Sequence, residues 1–531
     1  MKQKNESVQI CQEITSSMIS LYLFVMLGFF PLFYRYQYAD MGDAKYKIFL
    51  YASVSCIVVF FLCYIGVILF GKKAWKQKIK STDISVKIRK RPLDTAVILY
   101  FLVTTISFLF SPFKETGFWG SDGWNMGFLA QCIFIASYFL VAKFWKYEKW
   151  IIWLLMVSSA IVFFVAVFHR FDVDLLNIYG DLEQYYKVLF LSTMGQSSWY
   201  SSFLCTVFPV GFYIFYSSEE KKVRIVSGIY SVIAMCSLVT QNTDSAFLSL
   251  AAVLLVFFYL SFDQNAKQTR FLEVLMVILG SFCFMGLCQK LFVNRVIPLD
   301  SLSLFMSQSP LMWVLLIICI GCYLFMKKKK KDVLLKNRTW FFSILGILGM
   351  GILVMIIFIT VNTNGLLLEK IGFQSTNNYL LFQNEWGNGR GFAWKFAISS
   401  FGDFPFWQKL IGVGPDCFSA YIKSVPEYLD AMQAFWGDLV LTNAHNEYLT
   451  KIYNVGIMGL ASYAGMLVTA IWTFLKHRNE NSLLPAFALC TVSYMTHNIF
   501  CYEQVCCTPI FYILMGMGSN LIHNRIQKRA Y

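Results

Sequence analysis

The chain has 531 residues, of which 57% are hydrophobic, 18% aromatic and only 14% charged. A soluble fold of this size cannot cover so much apolar surface with so few charges, so an aqueous exterior is excluded and the bilayer is the natural solvent. The formal net charge of +15 reads as membrane topology and lipid-headgroup contact, and gives no reason to invoke nucleic acid.

Apolar stretches of about 17 to 23 residues recur along the chain between polar breaks, the length needed to cross a hydrocarbon core of roughly 30 Å. The first seven predicted spans are Ser17 to Phe33, Ile48 to Phe70, Thr95 to Phe113, Gly127 to Val141, Trp150 to Phe168, Ser198 to Tyr216 and Ile225 to Thr240. The next four are Ser245 to Phe262, Leu272 to Leu287, Pro310 to Met326 and Trp340 to Thr360. Val455 to Leu475, Leu483 to Phe500 and Thr508 to Ile522 complete a set of about fourteen. Unpaired backbone polar groups are not tolerated in lipid and no barrel-type alternation is present, so the fold class is all-α, a polytopic helical membrane protein. The first run follows Lys2 and Lys4 with no small-residue cleavage pattern after it, and is expected to be a retained helix.

Orientation follows from the basic residues, because positively charged loops stay in the cytoplasm. With the N-terminus inside, about 31 of the 45 Lys and Arg residues fall on the cytoplasmic side, including Lys72 to Arg91 and Lys327 to Lys331, against about 13 in the flipped arrangement. Both termini are therefore expected in the cytoplasm of a multi-pass inner-membrane protein. Fifteen cysteines lie mostly inside spans, where thiols behave as small apolar groups, and no paired CxxC spacing suggests zinc. Cys501, Cys506 and Cys507 would sit together externally, where either a disulfide or plain packing fits.

The chain divides into membrane helices over residues 1–361, a long external loop over 362–443 and membrane helices over 444–531. Most connections are short, and a loop of about eighty residues is an exception of the kind that usually carries function. Its aromatic content argues against disorder. A second external stretch, His169 to Ser197, holds Arg170, Asp172, Asp174, Asp181 and Lys187 and could form a lid or wall of the same site.

Within the loop, Asn384-Glu385-Trp386-Gly387-Asn388-Gly389-Arg390-Gly391 sets an arginine among glycines, so backbone can approach a ligand closely and the planar guanidinium can grip a phosphate at two points. The same residues also fit an ordinary glycine turn with an exposed arginine. Gly412-Val413-Gly414-Pro415-Asp416 is a tight turn that on its own only redirects the chain. In Asn443-Ala444-His445-Asn446-Glu447-Tyr448-Leu449, Asn443 can cap a helix and put His445 in its first turn, where the helix dipole keeps the ring neutral as a general base needs. A hydrogen-bonded structural histidine is the alternative, and His497 beside Asn498 is a rival, as is Glu503.

In order, the glycine-flanked Arg390, the Gly412 to Phe418 turn, the His445 to Leu449 segment and the Val455-Gly456-Ile457-Met458-Gly459-Leu460 helix entry resemble the O-antigen ligase and polymerase superfamily. Phe118-Trp119-Gly120-Ser121 and Gly195-Gln196-Ser197 look like its earlier loops. The resemblance implies a GT-C type helical fold and a metal-independent, inverting glycosyltransferase with no cofactor. Its implied partners are a lipid-linked glycan donor on undecaprenyl pyrophosphate, a glycan or cell-envelope acceptor, and membrane lipids. By position it implies that His445 accepts the acceptor hydroxyl's proton and Arg390 stabilises the departing pyrophosphate, with Trp386, Gly389, Lys395, Asp416, Asn446, Glu447 and Tyr448 binding substrate. One departure is the turn Gln241-Asn242-Thr243-Asp244-Ser245, where many members carry a further arginine; Lys395, Arg170 and Lys187 are the candidates for a second cation. A multi-pass transporter or lipid-linked oligosaccharide flippase is the alternative reading, against which stand the few charges within the spans and the lack of paired halves.

Overall fold

The computed structural model describes residues 2–70, 91–262, 265–329, 339–362, 370 and 381–529. Among these, helices make up almost everything; one two-residue antiparallel pair, Phe190–Leu191 with Gly195–Gln196, is the exception. Eleven of the helices are long and apolar enough to cross a membrane. Of the fourteen expected spans, three fall outside that set: Phe128–Phe144 with 17 residues, Leu484–His497 with 14, and Thr508–Arg529. The first two are shorter than a full crossing needs. All three are packed into the middle of the bundle, where Ala488, Leu489, Ile510 and Ile513 are fully buried, so protein and not lipid surrounds them.

The outer helices show the opposite pattern. None of the Phe341–Ile359 window is buried inside the protein and only 11% of the window in Met41–Leu69 is, so their apolar side chains are left for lipid to cover. The basic runs that carry the topology expectation, Lys72 to Arg91 and Lys327 to Lys331, lie outside the described residues apart from Arg91 and Lys327 to Lys329.

Of the expected loop, residues 363–369 and 371–380 also lie outside the described residues. The rest is a small helical cap built from Trp386–Gly402, Phe406–Ile411, Phe418–Ser424 and Pro426–Trp436. It has a core of its own, in which Phe404, Val413, Phe418, Ile422 and Met432 pack around Tyr453 of the returning helix Glu447–Lys476. Ordering a loop costs conformational entropy, and this core offsets it.

The cap is locked to that helix by two of the sequence motifs. At Gly456 (φ 73°, ψ −175°) the helix Glu447–Lys476 breaks, which frees the carbonyls of the preceding turn. The amides of Val413 and Gly414 donate to the Tyr453 and Asn454 carbonyls at 3.3 and 2.8 Å, and the Ser107 hydroxyl donates to Asn454 O at 3.0 Å. A Cβ on Gly456 would lie 2.2 Å from the Leu410 carbonyl, and one on Gly412 2.2 Å from that of Asn454. Only glycine permits so close a contact between the two backbones.

Candidate functional site

His445 lies just outside the helix and not in its first turn. The cap is Asn446, whose side-chain oxygen accepts from the amides of Tyr448 and Leu449 at 2.9 and 3.0 Å. Asn443 instead closes a turn on the His445 amide, Oδ1 to N 2.9 Å, and His445 takes a left-handed φ of 50°. Both asparagines suit a cap; with the positive φ of His445 between them, the helix starts at Glu447, about one turn later than expected.

The partly buried His445 ring stands edge-on to Tyr502, centroids 5.1 Å apart and planes at 88°. Burial, and after it the charge of Arg390, hold the imidazole down to about 3, so the ring is neutral. The expected protonation state is therefore present, with desolvation and a neighbouring cation as its causes.

Arg390 opens a regular helix after three successive left-handed residues, Gly387, Asn388 and Gly389 (φ 60°, 58° and 85°). This kink folds the arginine back: Nη1 donates to Gly387 O at 2.8 Å and Nε to Phe500 O at 3.2 Å. A Cβ on Gly389 would sit 2.3 Å from the Trp436 ring. Phe500 is flanked by Trp386 and Trp394 at 6.1 and 5.7 Å between centroids. Arg390 and His445 thus both rest on one short segment, through Phe500 and Tyr502.

That segment is tied to the chain following His445 by a buried polar network. The Glu447 amide donates to Asn498 O at 3.0 Å and the Glu447 carboxylate accepts from the Glu503 amide. Lys451 Nζ pairs with Glu503 at 2.6 Å and Glu447 at 3.5 Å and donates to Tyr100 OH at 2.8 Å. Tyr100 donates to Gln131, whose amide donates to Glu503 at 2.9 Å. Placing charges out of water is tolerable only when each is paired in this way. The network surrounds a cavity of about 30 Å³ bordered by Asp416, Asn443 and Tyr502 as well, room for about two waters.

The remaining candidates have protein partners. Asp416, itself at a φ of 55°, accepts from the amides of Ser121 and Met126 at 2.8 and 3.1 Å and so holds the loop that presents Trp124 against Tyr502. Burial pushes its carboxyl up to about 7 despite those two bonds. Tyr448 donates to Met495 O at 2.7 Å, and Glu447 is 1% exposed. Lys395 is exposed, bonded to Asn384 at 3.3 Å over the Phe382 ring, and makes no contact with His445. His497 is buried and shares a 2.8 Å hydrogen bond with Ser201, the structural role its rival reading allowed.

The second external stretch supplies no free cation. Arg170 is 1% exposed and donates to the carbonyls of Thr240, Val188 and Gln241 at 2.7, 3.1 and 3.2 Å, and Lys187 pairs with Asp172 at 2.8 Å. Cys501, Cys506 and Cys507 are free thiols, so the disulfide option is not taken. Among the described residues no group of three or more His, Cys, Asp and Glu side chains is arranged to hold a metal ion. Sequence reasoning missed Tyr502, Trp124, Tyr100 and Gln131; of these only Gln131, an amide inside the predicted span Gly127 to Val141, carried a signal, since a polar group within a span marks function or pairing by default.

Residues 296–464 match the family model for O-antigen ligase, which bears out the superfamily that the motifs resemble. The matched segment carries Arg390, the Gly412 to Asp416 turn and His445, whereas Phe500 and Tyr502 lie beyond it. Comparison with curated proteins gave no match.

Proposed function

From membership of residues 296–464 in the O-antigen ligase family, we propose that the protein is a membrane glycosyltransferase of the O-antigen ligase or polymerase type. It takes a glycan from an undecaprenyl pyrophosphate donor on the external face of the cytoplasmic membrane and joins it to a glycan or cell-envelope acceptor. The observation that carries this reading is that a neutral histidine and an arginine with a free guanidinium edge share one support, Arg390 on Phe500 O and His445 on the Tyr502 ring.

The chemistry follows from those two groups. The acceptor hydroxyl oxygen attacks the anomeric carbon from the face opposite the pyrophosphate, the anomeric C–O bond to the phosphate breaks, and the hydroxyl proton passes to a ring nitrogen of His445. Charge accumulates on the departing pyrophosphate, where Arg390, already oriented by Gly387 and Phe500, needs no rearrangement to stabilise it. A bound pyrophosphate also offsets the Arg390 charge felt by the imidazole, which raises the basicity of His445 once the donor is in place. Trp386, partly buried beside Phe500, offers a face for a sugar ring, and Gly389 lets the Arg390 loop close. Asp416, Asn446, Glu447 and Tyr448 serve by holding backbone in position, and Lys395 stands at the rim.

The test is product analysis in proteoliposomes containing the purified chain, a lipid-linked glycan and an acceptor. New glycan linkage that disappears in Arg390→Ala, with membrane insertion unchanged, supports the reading; single unlinked repeat units and no transfer by the wild-type protein would contradict it. Extension of the donor glycan identifies a polymerase, and transfer of the whole glycan to a terminal acceptor identifies a ligase.

A further inference from the structure

Helices Lys149–His169, Lys221–Thr240 and Asn265–Leu291 bound a groove of about 500 Å³. Its walls include Phe164, Phe168, Val232, Cys236 and Phe284, and they are almost entirely apolar. Phe164 and Phe284 are 47% and 56% exposed, so the groove opens toward lipid and not into the protein. The one charged residue lining it is Arg295, at the end where the helices His169 and Leu291 terminate. Arg295 is exposed and makes no ion pair among the described residues.

An apolar slot with an unpaired guanidinium where two of its helices end is complementary to an amphiphile with a phosphate. The glycan donor is not the natural occupant. Helix Lys221–Thr240 turns Val232 and Cys236 to the groove, while its Ser237 bonds Tyr200, and the neighbouring Trp199 stands against Trp124 beside the candidate site. A lipid whose phosphates rest on Arg390 would therefore have a helix between itself and this slot.

We propose that the groove holds one acyl chain of an anionic bilayer phospholipid, its phosphate paired with Arg295. The bound lipid fills the gap between the three helices and ties the segment after Leu291 to the membrane surface. That segment is also fixed to the bundle by the Ile297 amide on Arg170 O at 3.0 Å.

The probe is phosphatidylglycerol carrying a diazirine at the end of one acyl chain, with phosphatidylcholine carrying the same group as the comparison, in nanodiscs of the full chain. After irradiation, labelled peptides are mapped by mass spectrometry. Phosphatidylglycerol is expected to label peptides containing Phe164, Cys236 and Phe284 about fivefold more than phosphatidylcholine, the preference one interfacial cation supplies. Arg295→Gln should erase the preference, and Val232→Trp, which fills the groove from its lipid-facing side, should lower labelling by both lipids. Equal labelling by the two lipids, an unchanged preference in Arg295→Gln, or full displacement by an equal amount of a long-chain polyprenyl phosphate would overturn the assignment.

Discussion

The His445 imidazole meets the Tyr502 ring edge-on at 5.1 Å, two residues beyond the Phe500 carbonyl that accepts from Arg390. Such an aromatic pair is worth about 0.5–1.5 kcal/mol, so Tyr502→Leu is expected to slow turnover by about three- to tenfold while Tyr502→Phe stays close to wild type. The readout is kcat and KM measured separately on the donor. A loss confined to KM, or equal losses in Leu and Phe, would show that the ring does not position the histidine.

Gly389 is expected to behave as part of the arginine site although it carries no side chain. Its φ of 85° and the 2.3 Å approach to Trp436 leave no place for a methyl group, so Gly389→Ala must shift the kink that aims Arg390. Transfer activity should fall as it does in Arg390→Ala, and Arg390→Lys should not rescue it, because an ammonium cannot span Gly387 O and Phe500 O in one plane. Product yield at equal membrane expression checks this; a fully active Gly389→Ala protein would contradict it.

Lys451 neutralises two carboxylates held inside the protein, Glu447 and Glu503. Removing one partner of a buried pair costs about 3–5 kcal/mol, so Lys451→Met should lower the thermal midpoint in detergent markedly. Glu503→Gln added to Lys451→Met should recover part of that loss, since the Gln131 amide and the Glu503 backbone keep their partners. No recovery in the double variant would mean that Lys451 acts by packing and not by charge.

Asp416 gives a pH dependence of known sign. Its carboxyl titrates at about 7 in the folded protein, against an ordinary value near 4, so the folded state binds the extra proton and stability falls as pH rises through that window. Asp416→Asn, which keeps an oxygen for the Ser121 and Met126 amides, should remove this slope. Thermal midpoints of both proteins between pH 4 and 8 decide it: the variant should gain on wild type as pH rises, and parallel curves would contradict the assignment.

His445 should leave two different acid limbs in the rate profile. In the free protein the ring is held down to about 3, so kcat/KM should stay flat from neutral pH to about 4. With donor bound, pyrophosphate offsets the Arg390 charge and the limb in kcat should lie at higher pH. Coincident limbs in the two profiles would remove Arg390 from the environment of the base.

Most of the bundle was legible because about 20 apolar residues in a row have one stable fate in lipid. The central helices Leu484–His497 and Thr508–Arg529 read as ordinary spans from their apolar runs, and that protein surrounds them follows only from packing against distant segments. The candidate site was legible as residue types, His445 and Arg390, and not as geometry. Asn443 and Asn446 are equal candidates for the cap, and the choice is made by the left-handed φ of His445. The turn at Gly412 looked like a simple change of direction because its partner, the helix break at Gly456, lies far along the chain. The Lys451 network joins residues as distant as Tyr100, which no local pattern reveals.

The most direct test of the central claim is the transfer rate of His445→Ala in proteoliposomes, at matched insertion and with saturating donor and acceptor. Removal of a general base typically costs about 10² to 10⁴ in rate, and a loss of that size is expected, with donor binding retained because Arg390 keeps both its carbonyl anchors. A His445→Ala protein that transfers glycan at the wild-type rate would contradict the account.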